Sequence, residues 1–312
     1  MIIRKHIIKY RNLYFLSSLP MTGVLAFFSH TPSMPTDHYL SNSINLHHYR
    51  VKAPPVALRG IHNNASGLTY NAETGTLFAA INNPEQIIEL TTQGTILRRI
   101  PLEGFEDTEG ITHLGGHEFA ITEERKRSVV IITIDADTQA LSRAQLRSFS
   151  LPKPVADNNG FEGITSDPKS GRLFISNEKS PRELLQIDGF IGEDLGVSVS
   201  IPWNLETSSL NNDDVSGLYF DAHYNHLLLL SDESKQVIET NLQGEKISRL
   251  DLSSYNNDLG YEIPQPEGIT LGEDRTLYIL SEPNLFFQFS PKVAIEPNPI
   301  TPNPEATLLT ER

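Results

Sequence analysis

Seven glutamates recur in step along this chain. Five times a glycine is followed by a β-like apolar pair, and the residue in front of that glycine reads Ser66, Glu109, Glu162, Ser216 and Glu267. A second position recurs after the next apolar run: Asn83, Glu124, Glu178, Glu233 and Glu282. Carboxylates gathered at one place cannot all stay ionised unless their pKa values rise or a cation neutralises them. Glu and Asn oxygens in number suit a hard divalent cation, and a flexible many-oxygen cage suits Ca²⁺ better than Mg²⁺. Neither register contains His, and the chain has no Cys, which disfavours zinc and copper. The expected metal ligands are Glu109, Glu124, Glu162, Glu178, Glu233, Glu267, Glu282 and Asn83, with Ca²⁺ as the expected cofactor. Taken singly, each acid is equally a solvated loop charge or an acceptor for a neighbouring strand's N–H. Their recurrence in register is what points to a cation or a cationic ligand.

Basic residues follow the second register closely: Arg125, Lys126, Lys179, Arg182 and Lys235. They are candidates for holding an anionic group such as phosphate beside the metal, against the alternative that each pairs with a nearby acid. Candidate bases are few. His62 and His113 lie beside the first strands of units one and two, and His223 and His226 fall in a connecting turn expected at the face away from the glutamates. Gly-x-Ser-x-Gly, P-loop and GxGxxG patterns are absent, which removes the common serine hydrolases, NTPases and Rossmann dehydrogenases. Two classes remain. One is a module that binds a small-molecule or protein ligand at a Ca²⁺-loaded acidic mouth; the other is a Ca²⁺-dependent hydrolase of phosphoesters or lactones.

The elements that must position these residues are short strands. The repeat glycines Gly67, Gly110, Gly163, Gly217 and Gly268 lie 43 to 54 residues apart. Each opens a unit of apolar runs separated by turn residues, as in Leu68-Thr69, Thr76-Leu77-Phe78-Ala79 and Gln86-Ile87-Ile88-Glu89-Leu90. About four strands to a unit of this length is the signature of a β-propeller blade. The expected fold is all-β, a propeller of five blades, with residues 188–210 leaving room for a sixth. The last unit runs out before a fourth strand, and Leu46 to Leu58 reads as a strand ahead of the first unit, so this N-terminal strand is expected to complete the last blade. In an antiparallel blade the start of strand one and the end of strand two share one end of the sheet. Both registers therefore converge on one mouth of the central channel.

The successions Asn63-Asn64-Ala65-Ser66-Gly67-Leu68, Phe161-Glu162-Gly163, Asp214-Val215-Ser216-Gly217, Leu230-Ser231-Asp232-Glu233-Ser234 and Ser281-Glu282-Pro283-Asn284 resemble the SdiA-regulated, YjiK-like proteins of bacteria. The resemblance covers about residues 45–290. It implies a β-propeller held outside the inner membrane by a hydrophobic N-terminal anchor, in a neighbourhood shared with calcium-dependent phytase-like and lactonase-like propellers. It implies no particular reaction and no catalytic residue.

The ends of the chain read differently from the repeats. Residues 1–11 carry Arg4, Lys5, Lys9 and Arg11, and no charged residue occurs from Asn12 to Thr36. This is the pattern of a basic segment and a signal-anchor over 12–30, followed by a linker over 31–44, the propeller over 45–290 and a proline-rich tail over 291–312 expected to be disordered. The positive start predicts an inner-membrane protein with its propeller on the periplasmic side. The balance of 25 basic against 39 acidic residues gives a net charge of −14. That composition argues against nucleic acid as a partner, since phosphate binding needs clustered Lys and Arg.

Overall fold

The structure, a computed structural model, describes residues 40–152, 160–177, 181–192, 196–254 and 258–292. Every repeat glycine begins or enters the inner strand of a sheet, and there are five such sheets. Blade 1 holds β2 (Ala65–Asn71), β3 (Thr76–Asn82), β4 (Glu85–Leu90) and β5 (Ile96–Glu103), with the two-residue β9 (Leu141–Ser142) added parallel to β5. Blade 2 holds β6 (Thr108–Gly115), β7 (Glu118–Glu123), β8 (Ser128–Thr133) and β10 (Ser148–Ser150). Blade 3 is β11 (Phe161–Asp167), β12 (Arg172–Asn177), β13 (Glu183–Asp188) and β14 (Ser198–Ser200); blade 4 is β15 (Gly217–Asp221), β16 (His226–Ser231), β17 (Gln236–Asn241) and β18 (Lys246–Asp251). Blade 5 joins β19 (Pro266–Leu271), β20 (Leu277–Ser281) and β21 (Leu285–Pro291) to β1 (Tyr49–Ala57), which pairs antiparallel with β21. The N-terminal strand thus closes the ring as expected, and residues 188–210 build β14 and the connection to blade 4, not a sixth blade.

Five apolar clusters occupy the five seams between blades. Phe78 of blade 1 meets Phe119 of blade 2 with ring centroids 4.7 Å apart, and Phe174 of blade 3 meets Phe220 of blade 4 at 5.7 Å. Middle strands such as β16 are buried along their whole length, whereas the outer β18 alternates. This is why the middle strands read as continuous apolar runs and the outer ones carry charge.

The repeat glycines have a packing cause. A Cβ on Gly67 would stand 2.4 Å from the Glu109 carbonyl oxygen, on Gly110 2.4 Å from that of Glu162, on Gly217 2.5 Å from that of Glu267, and on Gly268 2.5 Å from that of Ser66; on Gly163 it would meet the Leu218 nitrogen at 2.7 Å. Each glycine lets its strand touch the next blade's inner strand, and the series closes on itself. Hydroxyls bind the same seams. Thr122 Oγ1 accepts from Gly110 N (2.7 Å) and donates to the Glu162 carbonyl (3.1 Å). Deeper in the channel Thr69, Thr165 and Thr270 accept from His113 N (3.1 Å), Phe220 N (2.8 Å) and Tyr70 N (3.1 Å) of the following blade.

The segment ahead of β1 is latched to blade 4. Glu239, fully buried on β17, accepts from Ser43 Oγ (2.7 Å), Ile44 N (2.8 Å) and Ser248 Oγ (2.5 Å), and His226 Nδ1 lies 2.8 Å away. His226 is therefore a structural residue.

The expected inner-membrane location is corrected. No helix among the described residues is long and apolar enough to cross a membrane. The segments 1–11 and 12–30, on which that expectation rests, lie outside the described residues, as do residues 31–39 and 293–312.

Candidate functional site

Strand pairing fixes which residues are equivalent at the mouth. The residue after each repeat glycine pairs as Leu68 with Ala79, Ile111 with Ile121, Ile164 with Ile175, Leu218 with Leu229 and Ile269 with Ile279. Three residues beyond those partners stand Asn82, Glu124, Glu178, Asp232 and Glu282. Asn83 and Glu233 are thus one position too far along, and Asn82 and Asp232 take their places. Glu233 is exposed and Asn83 lines a cleft outside the channel. Of the remaining ligand candidates, Glu178 lies outside the described residues.

The pairing also exposes a third register that the sequence reading missed. In blades 1, 2, 3 and 5 the inner strand bulges where it enters from the mouth. Three residues before the glycine stand Asn64, Asp107, Gly160, Asp214 and Gln265. Asn64, Asp107 and Gln265 have positive φ (57°, 59° and 31°), and their carbonyls accept from Asn82 N (3.0 Å), Glu124 N (2.9 Å) and Glu282 N (2.9 Å). A bulge of this kind re-aims side chains. The signal was present as Asn or Asp three residues before Gly67, Gly110 and Gly217, but it carries no chemistry until the bulge turns it.

Ser66, Glu109, Glu162, Ser216 and Glu267 ring the channel just outside a neck formed by the glycines and the Leu or Ile that follows each. The neck leaves only about 10 Å³, scarcely room for one water. The acids converge most closely over blade 2, where one carboxylate oxygen from each of Asp107, Glu109 and Glu124 lies within 4.8 Å of the others. Among the described residues no other three acids or histidines meet that spacing. Asn82 Nδ2 donates to Glu109 Oε1 and to Asp107 Oδ1 (3.1 Å). Asp107 is 8% exposed, and the one cation beside its buried Oδ2 among the described residues is Arg125.

Burial pushes the Glu109 carboxyl up to about 7; Asp107 and Glu282 push the same way, while hydrogen bonds from Ser66 and Asn82 oppose it. Burial, then Asp107 and Glu109, raise Glu124 to about 8. Across the mouth, burial and the neighbouring Asp232, Glu109 and Glu282 carry Glu267 well above the carboxylate range, and burial with Asp232 raises Glu282. Asp214 is raised by burial too, but it is engaged structurally: it accepts from Ser231 Oγ, Asp232 N (3.1 Å) and Glu233 N (3.1 Å). Glu123, the neighbour of Glu124, is fully buried and held by Arg143 (2.9 Å) and Lys126 (3.2 Å).

Most of the basic candidates for an anion site are paired. Arg125 Nε lies 2.8 Å from Asp107 Oδ2, Lys126 contacts Glu123 and Glu106, and Lys235 contacts Asp232 and, at 3.7 Å, Glu262. The Arg182 backbone N–H donates to Glu206 (3.1 Å), and Lys179 lies outside the described residues. Beside the blade 2 acids a cleft of about 460 Å³ is bounded by Asn64, Asn82, Asn83, Glu106, Asp107 and Arg125. His113 is on the other side of the neck, its Nε2 3.0 Å from the Gly116 carbonyl.

A family model described as SdiA-regulated matches residues 41–290. Among solved structures the chain is similar to a luciferin-regenerating enzyme (11% identity over 78% of this chain and 94% of that one, TM-score 0.49). It is similar also to regucalcin, a calcium-binding protein from Agrobacterium tumefaciens str. C58 (13%, 75% and 92%, TM-score 0.47), and to a gluconolactonase from Xanthomonas campestris (13%, 77% and 94%, TM-score 0.44). At these values the likenesses carry no argument about the chemistry of this chain.

Proposed function

The chain belongs to the SdiA-regulated family, and from the geometry of its channel mouth we propose that it binds a divalent cation, Ca²⁺ by its donors, and acts as a binding module for a ligand seated on that mouth. The observation that carries this reading is the convergence of Asp107, Glu109 and Glu124, one carboxylate oxygen from each within 4.8 Å of the others. Three carboxylates offer up to six oxygens, and Asn82 stands beside them. That is the number and hardness Ca²⁺ takes, whereas Mg²⁺ keeps a tighter octahedron and more of its water. Glu162 and Glu267 stand further round the ring, outside the three-carboxylate cluster. Raised carboxyl pKa values mark the same place as one where charge lacks compensation.

Calorimetric titration of the protein with CaCl₂ tests this. The reading expects one site per chain, weakened at least about 100-fold in Asp107→Asn and in Glu109→Gln, as loss of a charged ligand implies. Absence of a calcium isotherm, or isotherms unchanged in both variants, overturns it.

The cleft beside the triad supports a second reading, a Ca²⁺-dependent hydrolase, because it shares Asn82 and Asp107 with the cation position and would bring a substrate oxygen to the ion. Calcium-dependent turnover of a phosphoester or lactone that disappears in Asp107→Asn would favour hydrolysis over binding alone.

A further inference from the structure

Beyond the neck the channel opens again, at the face opposite the glutamates, into a chamber of about 370 Å³. The neck isolates the two ends, so whatever enters this chamber does not reach the acids. Its inner wall is apolar, made by Leu68, Ile111, Ile164, Leu218 and Ile269. Two of the threonine hydroxyls along it, Thr69 and Thr165, are already engaged as acceptors of inter-blade N–H groups.

Two phenols are not engaged. Tyr70 and Tyr219 line the chamber and are partly buried, and neither phenol oxygen makes a hydrogen bond to any described residue. Burial, with Glu273 and Asp274 near Tyr70 and Asp221 near Tyr219, raises both phenols, so each presents a neutral O–H donor. Arg275 is held in a two-pronged ion pair with Asp221, at 2.7 and 3.0 Å. Glu273 stands exposed at the rim. His113 Nε2 donates to the Gly116 carbonyl, 3.0 Å away.

We propose that this chamber is a second binding site, for an uncharged and largely apolar small molecule carrying carbonyl or ether oxygens that accept separately from Tyr70 and from Tyr219. An anionic ligand is disfavoured because Arg275, the one Lys or Arg lining the chamber, already has Asp221 as its counterion, and a cationic one would meet only the exposed rim carboxylate of Glu273. The volume lies within the range of small-molecule sites, and a few convergent polar groups on an apolar wall are what such sites share. An oxygen acceptor on the ligand would take the place of water at the two phenols.

The test uses the full chain and Nile red, a neutral dye with a carbonyl acceptor whose emission reports an apolar environment, with medium-chain lactones and methyl ketones as competitors. The proposal expects saturable binding of one dye per chain, displaced by the competitors. Tyr70→Phe and Tyr219→Phe keep the shape and should each weaken binding about 5- to 10-fold, the worth of one hydrogen bond. Ala72→Trp and Ala222→Trp, exposed rim positions in turns, should block entry and abolish binding without unfolding the blade. Calcium and chelator should leave the affinity unchanged, so the result stands apart from the cation site. Non-saturable dye uptake, or binding indifferent to both phenylalanine and both tryptophan substitutions, overturns the proposal.

Discussion

Replacing Glu109 by glutamine should make the metal-free protein more stable at neutral pH. The Glu109 carboxyl titrates near 7 in the fold against an ordinary value of 4.5. A carboxyl whose folded pKa is raised stabilises the fold fully below the unfolded value, and that contribution is lost as pH rises through the folded one. The interval from 4.5 to about 7, at roughly 1.4 kcal/mol per unit, is worth about 3 kcal/mol, an upper figure because Asp107 and Glu282 share the field. Urea denaturation of the wild type in chelator should therefore lose stability as pH goes from 4.5 to 7, while Glu109→Gln stays flatter and is more stable than wild type at pH 7 and above. Calcium supplies the missing compensation. At a hundredfold excess over Kd it should restore about 2.7 kcal/mol to the wild type at pH 8, much less at pH 5 where protons compete, and almost nothing to the variant. Identical pH slopes for wild type and Glu109→Gln in chelator would refute the claim that uncompensated charge sits at this mouth. Equal stabilisation of both proteins by calcium would refute the assignment of the ion to Glu109.

Arg125→Ala should raise calcium affinity about 3-fold, because the guanidinium 2.8 Å from Asp107 competes for that carboxylate; its side chain is 64% exposed, which keeps the effect small. A loss of affinity in the calorimeter would mean that Arg125 positions Asp107 and does not oppose the ion. Gly110→Ala should cost about 3 kcal/mol or more in thermal or urea unfolding, since the new Cβ meets the Glu162 carbonyl at 2.4 Å and moves the inner strand of blade 3; a near-neutral result would show that the glycine ring is not a packing constraint. Glu239→Ala should cost about 3 kcal/mol or more by leaving the Ser43, Ile44 and Ser248 donors buried without an acceptor, and limited proteolysis should then cut first within residues 40–48. Unchanged protease resistance there would argue against a latch.

The blades were legible because their causes are local in sequence: apolar runs broken by turn residues, and a glycine wherever two inner strands must touch. Closure by the strand before the first unit was legible because a missing outer strand at one end and a spare one at the other can be counted. The exact residues at the mouth were not. Asn82-Asn83 and Asp232-Glu233 each offer two chemically similar neighbours, and only the partner of the following strand decides which one turns inward. Asp107 escaped because the left-handed bulge, which brings it beside Glu109 and Glu124, has no counterpart in a two-residue alternation. The pairing of Arg125 with Asp107 escaped for the same reason, since the two are far apart in sequence until the bulge and the second strand meet.

The recurring tetrad Glu-Gly-Ile-Thr also explains why the two ends of the channel differ in chemistry. Its first residue stands on the mouth side of the neck, where the bulge frees a carboxylate from the ladder. Its glycine admits the neighbouring backbone, and its isoleucine closes the neck. Its threonine, on the far side, is tied to the next blade's N–H in three seams. Threonine hydroxyls at the far end are thereby spent on the fold in three seams, while the acids at the mouth gather charge over blade 2. Exchanging the first and fourth roles, for instance by Glu162→Thr with Thr165→Glu, should abolish one carboxylate at the mouth and place an unpaired one against an apolar wall; the fold should tolerate the first change and not the second. Separate unfolding curves of the two single variants check this: Glu162→Thr within about 1 kcal/mol of wild type in chelator, and Thr165→Glu lower by several. Comparable losses in the two would mean that both ends of the tetrad serve the fold alone.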